Sequence, residues 1–232
     1  MSEADGTRQA LDVYLRPTWF IDSDDARIRA FATEAVGDAT DDVTKAVRLY
    51  YAVRDRITYD PYRVELTPQG FRASDCLAKG YGFCILKATL LAAAGRAAGV
   101  PSRLGFADVK NHLATARLKS LMKTDIFFYH GYTEFFLDGR WVKATPAFNI
   151  QLCDRFRVLP LEFDGHEDSI FHPFDADGRQ HMEYVGERGS FADMPFAEIE
   201  ANFREVYGEL MGRGGPKGDF AAEAAAESRL KS

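Results

Sequence analysis

The pair of residues best suited to covalent chemistry in this chain is a cysteine and a histidine forty-six positions apart, Cys84 and His130. Cys84 lies in Gly82-Phe83-Cys84-Ile85-Leu86-Lys87-Ala88 and opens an Ala/Leu-rich run that reaches Ala98. That run predicts a helix beginning at the thiol and ending at Gly99. The first N–H groups of a helix lack intrahelical acceptors, and its aligned peptide dipoles leave roughly half a positive charge there. Both effects favour thiolate over thiol and can hold an oxyanion. His130 lies in Tyr129-His130-Gly131-Tyr132-Thr133-Glu134-Phe135-Phe136-Leu137, an alternating apolar strand that meets Asp138-Gly139 and a second strand from Arg140. A thiol on a helix tip and an imidazole on a hairpin are the two working parts of a cysteine nucleophile system.

The hairpin says what can orient the imidazole. A two-residue Asp138-Gly139 turn sets Leu137 opposite Arg140 and carries His130 opposite Ala147. Thr145 is then the diagonal neighbour of His130 on the same face, about 7–8 Å away at the backbone. Thr145 is therefore the expected third member, unless a one-residue bulge reverses the face. Asn149 is the alternative if the chain bends after Pro146, and Asp164 or Asp168 could fold back from later loops.

These parts need a scaffold, and the spacing of apolar residues supplies one. Leu11 to Ile21 alternates like a strand. Ser23 or Asp24 can cap a helix running to Val36, and Thr40 can cap another through Arg56. Ser74 begins a short helix that Gly80 ends, and Ser102 to Val109 is extended. Asn111 to Thr124 is polar with a short helical patch, a candidate wall or lid for the cleft. Asn149 to Arg188 is turn-rich, Pro195 to Met211 is a helix, and Asp219 to Ser232 is an Ala/Glu tail. Helices first and an antiparallel sheet after make the fold α+β. The expected organisation is one domain over residues 1–211, with a core at 43–149, an elaboration at 150–211 and a flexible tail at 212–232.

Several of these stretches resemble the transglutaminase-like superfamily of papain-type cysteine enzymes. They are Tyr59-Asp60, Gly82-Phe83-Cys84, Gly99-Val100-Pro101-Ser102-Arg103, and His130 through Pro146, all within Val43 to Asn149. The resemblance implies a catalytic Cys84 and His130 on a papain-like core, acting through a thioester with no cofactor. The family places an Asp before a Pro in the third position, whereas this chain has Thr145-Pro146. Papain-type enzymes use a neutral Asn in that role, so a neutral orienter is compatible with turnover. Implied activities are peptidase or amidase first, then amide-forming acyltransferase; a peptide- or partner-binding relative without turnover is the third. The implied substrate is a peptide or a small amide or thioester.

Composition excludes other classes. With 46% hydrophobic and 28% charged residues the 232-residue chain is ordinary globular protein. Its 29 basic and 35 acidic residues give a net charge of −6, which disfavours nucleic acid and anionic membrane as partners. The first residues lack a basic then apolar leader pattern, and no apolar run is long enough to span a bilayer. Three cysteines without a CxxC fit a reducing cytoplasm, so a cytoplasmic location is expected. Cys76 and Cys153 read as packing residues. Tyr81 and Tyr132 could lend a hydroxyl to an oxyanion, although half-buried packing suits them better. His166, Asp168, His172, Asp175, Asp177, His181 and Glu183 crowd one stretch, but their spacing matches no metal motif, so no metal is expected.

Overall fold

The computed structural model describes residues 11–111, 115–170, 182–211 and 218–230. Helices come first. Asp25 and Asp41 turn side-chain oxygens onto the N–H groups of Arg27 and Thr44, capping α1 (Ala26–Val36) and α2 (Asp42–Arg56). The short strand β1 (Thr58–Tyr59) follows, then α3 (Ala73–Lys79), closed by a left-handed Gly80, and β2 (Tyr81–Gly82). These lead into α4 (Cys84–Ala97). The main sheet contains β3 (Ser102–Asn111), β4 (Ile126–Leu137), β5 (Arg140–Ala144) and β6 (Met182–Phe191), antiparallel in the order β5-β4-β3-β6. Four further helices are α5 (Ala116–Met122), α6 (Ile150–Phe156), α7 (Phe196–Met211) and α8 (Phe220–Leu230).

The α+β expectation holds, with the cysteine helix packed on an antiparallel sheet. α4 runs between that sheet and the three preceding helices, and every residue from Cys84 to Arg96 is buried. A helix enclosed on all sides has no polar face to show, which explains its Ala/Leu composition. Small residues also allow close approach: a Cβ on Gly95 would meet the Phe135 ring at 2.5 Å. The Thr133 hydroxyl donates to the Ala88 carbonyl at 2.8 Å, tying β4 to the helix. The hairpin register is also as expected. Leu137 pairs with Arg140 and Thr133 with Ala144, around a turn whose Asp138 and Gly139 both have positive φ.

Three expectations fail. Asp12–Tyr14 is a 3₁₀ turn rather than part of a strand. Val13 is exposed, and the segment's local bond from Leu15 N–H to the Asp12 carbonyl replaces any ladder. The region from Asn149 to Arg188 contains α6 and most of β6. β6 escaped the periodicity because it is a polar edge strand, held by backbone pairing to β3 rather than by an apolar face. The third failure is the tail. α8 buries Phe220 and Ala224, with Phe220 packed against the rings of Tyr59, Tyr62 and Phe156. Its Glu223 accepts from the Tyr62 hydroxyl and pairs with Arg117, while Glu227 accepts from the Ala116 N–H at the start of α5. An apolar stripe of one Phe and several Ala looks like low-complexity sequence until a partner surface is seen.

Candidate active site

β1 and β2 deliver the thiol. Tyr59 pairs with Gly82, and the Asp60 N–H donates to the Gly82 carbonyl at 3.0 Å. Gly82 is required by crowding, since a Cβ there would meet Leu86 at 2.9 Å and the Cys76 sulfur at 3.0 Å. Phe83 occupies the N-cap of α4 in an extended conformation and offers no capping side chain. The donors at the helix tip therefore face Cys84 and whatever approaches it. Cys84 is 5% exposed. Burial pushes its thiol up to about 11, while the backbone N–H groups of Gly131, Ile85 and Cys84 itself pull in the opposite direction. Gly131 presses on the helix tip so closely that a Cβ would meet the Ile85 Cα at 2.9 Å. The residue before Gly131 is His130. The helix tip and the histidine strand thus meet at the thiol.

A bulge aims the strand there. Between Ala107 and Val109 the ladder slips: Ala107 pairs with His130, yet Val109 pairs with Phe127. Tyr129 takes up the slip at φ 54, an uncommon conformation for a bulky residue. Three side chains hold it. Asp108 Oδ1 accepts the Tyr129 N–H at 3.1 Å, and Arg188 grips Asp108 through Nε and Nη2 at 2.7–3.0 Å. The same guanidinium stacks 4.7 Å over the Tyr129 ring. Tyr207 completes the clamp, its hydroxyl accepting from Phe128 N–H and donating to the Ile126 carbonyl. His130 itself is buried, and burial drives its pKa down to about 3. At neutral pH the thiol and the imidazole are both uncharged.

The remaining expected members fall out differently. The hairpin ladder stops at Ala144, where Ser169 takes over as partner and accepts the Thr145 N–H at 3.0 Å. The Thr145 carbonyl accepts from Tyr50 Oη at 3.2 Å. Its side-chain Oγ1 is buried with no hydrogen-bond partner among the described residues, so the expected Thr145–His130 bond is absent here. Asn149 does other work: Oδ1 accepts the Tyr59 N–H at 3.1 Å and Nδ2 donates to Gln151. It braces β1. Asp164 accepts from the N–H groups of its near neighbours His166 and Glu167, and Asp168 from that of Lys143 on β5, so both hold backbone groups.

Cys76 and Cys153 are buried, and burial pushes them up to about 12 and about 11. Tyr81 lies under the Arg63 guanidinium at 4.4 Å, and Tyr132 packs over Gly105. Among the described residues no group of three or more His, Cys, Asp or Glu could hold a metal; residues 171–181 of the His/Asp-rich stretch lie outside those described.

Two features escaped the sequence. Lys87, one turn past the thiol, is fully buried and donates to the Arg54 and Ile57 carbonyls at 2.9 and 2.7 Å. It satisfies the orphan end of α2 and pins α4 to it, while burial pulls its pKa down to about 7. A lysine inside the apolar start of an Ala/Leu run was the available signal. The second feature is an apolar cleft opening on Cys84. Tyr59, Pro61 and Val64 form one side, Leu118 and Met122 of α5 another, and Phe127, Phe128, Phe203 and Tyr207 the roof. The polar segment expected as a cleft wall does supply one, through Leu118 and Met122.

A family model described as the transglutaminase-like superfamily matches residues 29–146. Two solved structures are similar. One, from Cytophaga hutchinsonii and named a "putative cysteine protease", is 16% identical over 77% of this chain and 53% of its own, with a TM-score of 0.46. The other, from Parabacteroides distasonis ATCC 8503 and named a "putative protease", is 18% identical over 59% of this chain and 25% of its own, with a TM-score of 0.37. This chain thus spans about half of the first and a quarter of the second. The comparison with curated proteins finds no match.

Proposed function

The chain belongs to the transglutaminase-like superfamily, whose members are generally cysteine-dependent enzymes, and on that premise we propose that it is a cysteine hydrolase of amides. One observation carries the reading. Cys84 is the first residue of a buried helix without a capping side chain, and its thiol receives the N–H of Gly131, the residue next to His130. In the proposed cycle Cys84 Sγ attacks the substrate carbonyl carbon as its proton passes to His130. The oxyanion is held by the N–H groups at the helix tip. His130 then gives the proton to the departing amine, the C–N bond breaks, and water resolves the thioester. Because burial leaves both groups uncharged at rest, the proton moves during attack rather than before it. The scheme needs no cofactor and takes a peptide or small amide or thioester.

Cys84→Ser is expected to abolish turnover and the acyl-enzyme mass while leaving the fold intact. Wild-type rate in that variant would overturn the assignment. Product masses with water alone and with added amines separate hydrolysis from amide formation. A second reading, a peptide binder without turnover, is favoured by the uncommitted Thr145 hydroxyl. Single-turnover acylation of Cys84 separates it from the first.

A further inference from the structure

Resting on the acyl-transfer reading, the cleft beside Cys84 names the substrate more closely: we propose that it seats a small, uncharged aliphatic group attached to the carbonyl that Cys84 attacks. Its side chains carry no charge among the described residues, and their exposed surface is almost wholly apolar. A carboxylate or ammonium entering it would lose its water with nothing to replace it. A carboxamide fares little better. The Tyr207 hydroxyl is already committed on both sides, to the Phe128 N–H and the Ile126 carbonyl. Tyr59 brings the other hydroxyl of the lining, so a glutamine side chain finds at most that group to pair with, whereas methyl and methylene groups find Leu118, Met122, Phe128 and Phe203.

Size narrows the class. The cavity is about 50 Å³, against roughly 150 Å³ for an engineered apolar cavity that holds benzene. By that measure the enclosed part of the cleft takes only part of an isovaleryl group, its open side takes the rest, and an aromatic group is expected to need a wall to move. The wall at issue is Met122, a flexible thioether that can be cut back without touching α4. Phe203 and Tyr207 lie outside the segment that matches the superfamily, whereas the other residues lining the pocket lie within it.

A set of p-nitrophenyl esters tests this: isovalerate, benzoate, hemisuccinate and the ester of glutaramic acid, which carries a primary carboxamide. In each the Cys84 Sγ–C bond forms, the ester C–O bond breaks, p-nitrophenolate leaves and the thiol proton goes to His130. Initial rates with Cys84→Ser as the blank, and the intact mass of acylated protein, are the readouts. Isovalerate is expected to exceed hemisuccinate and the carboxamide ester by at least about ten-fold in kcat/KM, in line with what a methylene or two contributes in an apolar pocket. Met122→Ala is expected to raise benzoate relative to isovalerate. Acylation of Cys84 with equal or greater rates for the charged or carboxamide esters would overturn the pocket assignment and leave the acyl-transfer reading standing. Absence of acyl-Cys84 with every ester would overturn both. The wild-type series decides the matter even if Met122→Ala does not fold.

Discussion

Uncharged resting states at Cys84 and His130 have measurable consequences. The folded pKa of His130, about 3, lies below its ordinary value of 6.5. Between those values the unfolded chain binds a proton that the folded chain refuses, so stability falls as pH drops through that window, by up to about 1.4 kcal/mol per pH unit. His130→Gln is expected to flatten this dependence in urea melts taken between pH 4 and 7. Cys84 acts at the other end: its thiol is raised from 9.0 to about 11, so its contribution is lost as pH rises through that range. Thr145 gives a sharper test. Its buried Oγ1 makes no hydrogen bond among the described residues, so Thr145→Val removes a desolvated hydroxyl and keeps its shape. Stability is expected to stay level or rise by up to about 1 kcal/mol, with kcat unchanged. A ten-fold loss of kcat would restore Thr145 as the partner that orients the imidazole.

Among the elements, the bulge in β4 matters most. A positive φ at Tyr129 costs on the order of 1–3 kcal/mol and persists only where surrounding contacts over-determine it. Asp108, Arg188 and Tyr207 provide those contacts, and the residue they steer is His130. Arg188→Met is expected to lower stability by about 1–3 kcal/mol, because it leaves the Asp108 carboxylate without its fork. It is also expected to lower the acylation rate of Cys84. Arg188→Lys keeps the charge but not the bidentate geometry, and an intermediate effect is expected. Urea unfolding and ester acylation, measured on the same samples, check both.

Across the whole molecule, the last helix closes back on the first half of the chain. Phe220 fills a gap among Tyr59, Tyr62 and Phe156, and Glu227 caps the helix that forms one wall of the cleft. A chain ending at Gly218 is therefore expected to melt lower, and Phe220→Ala to lose about 3–5 kcal/mol. Unchanged melting of both would show that α8 contributes nothing. No helix among the described residues is long and apolar enough to cross a membrane.

Local pattern alone determined a good deal of this protein. The Ala/Leu run placed Cys84 at a helix start, and Asp138-Gly139 set the hairpin register, because helix periodicity and a two-residue turn are decided by near neighbours. The α+β order of elements followed from the same signals. What required the tertiary structure were features whose cause lies far along the chain. The bulge at Tyr129 depends on Asp108 and Arg188, the fate of Thr145 on Ser169, and the packing of Phe220 on Tyr59 and Tyr62. β6 forms because β3 offers it a backbone edge, and the cleft exists because α5 and α7 converge on Cys84. Hydrogen bonds and burial between segments far apart in the sequence leave no periodicity in either segment, so only the folded chain reveals them.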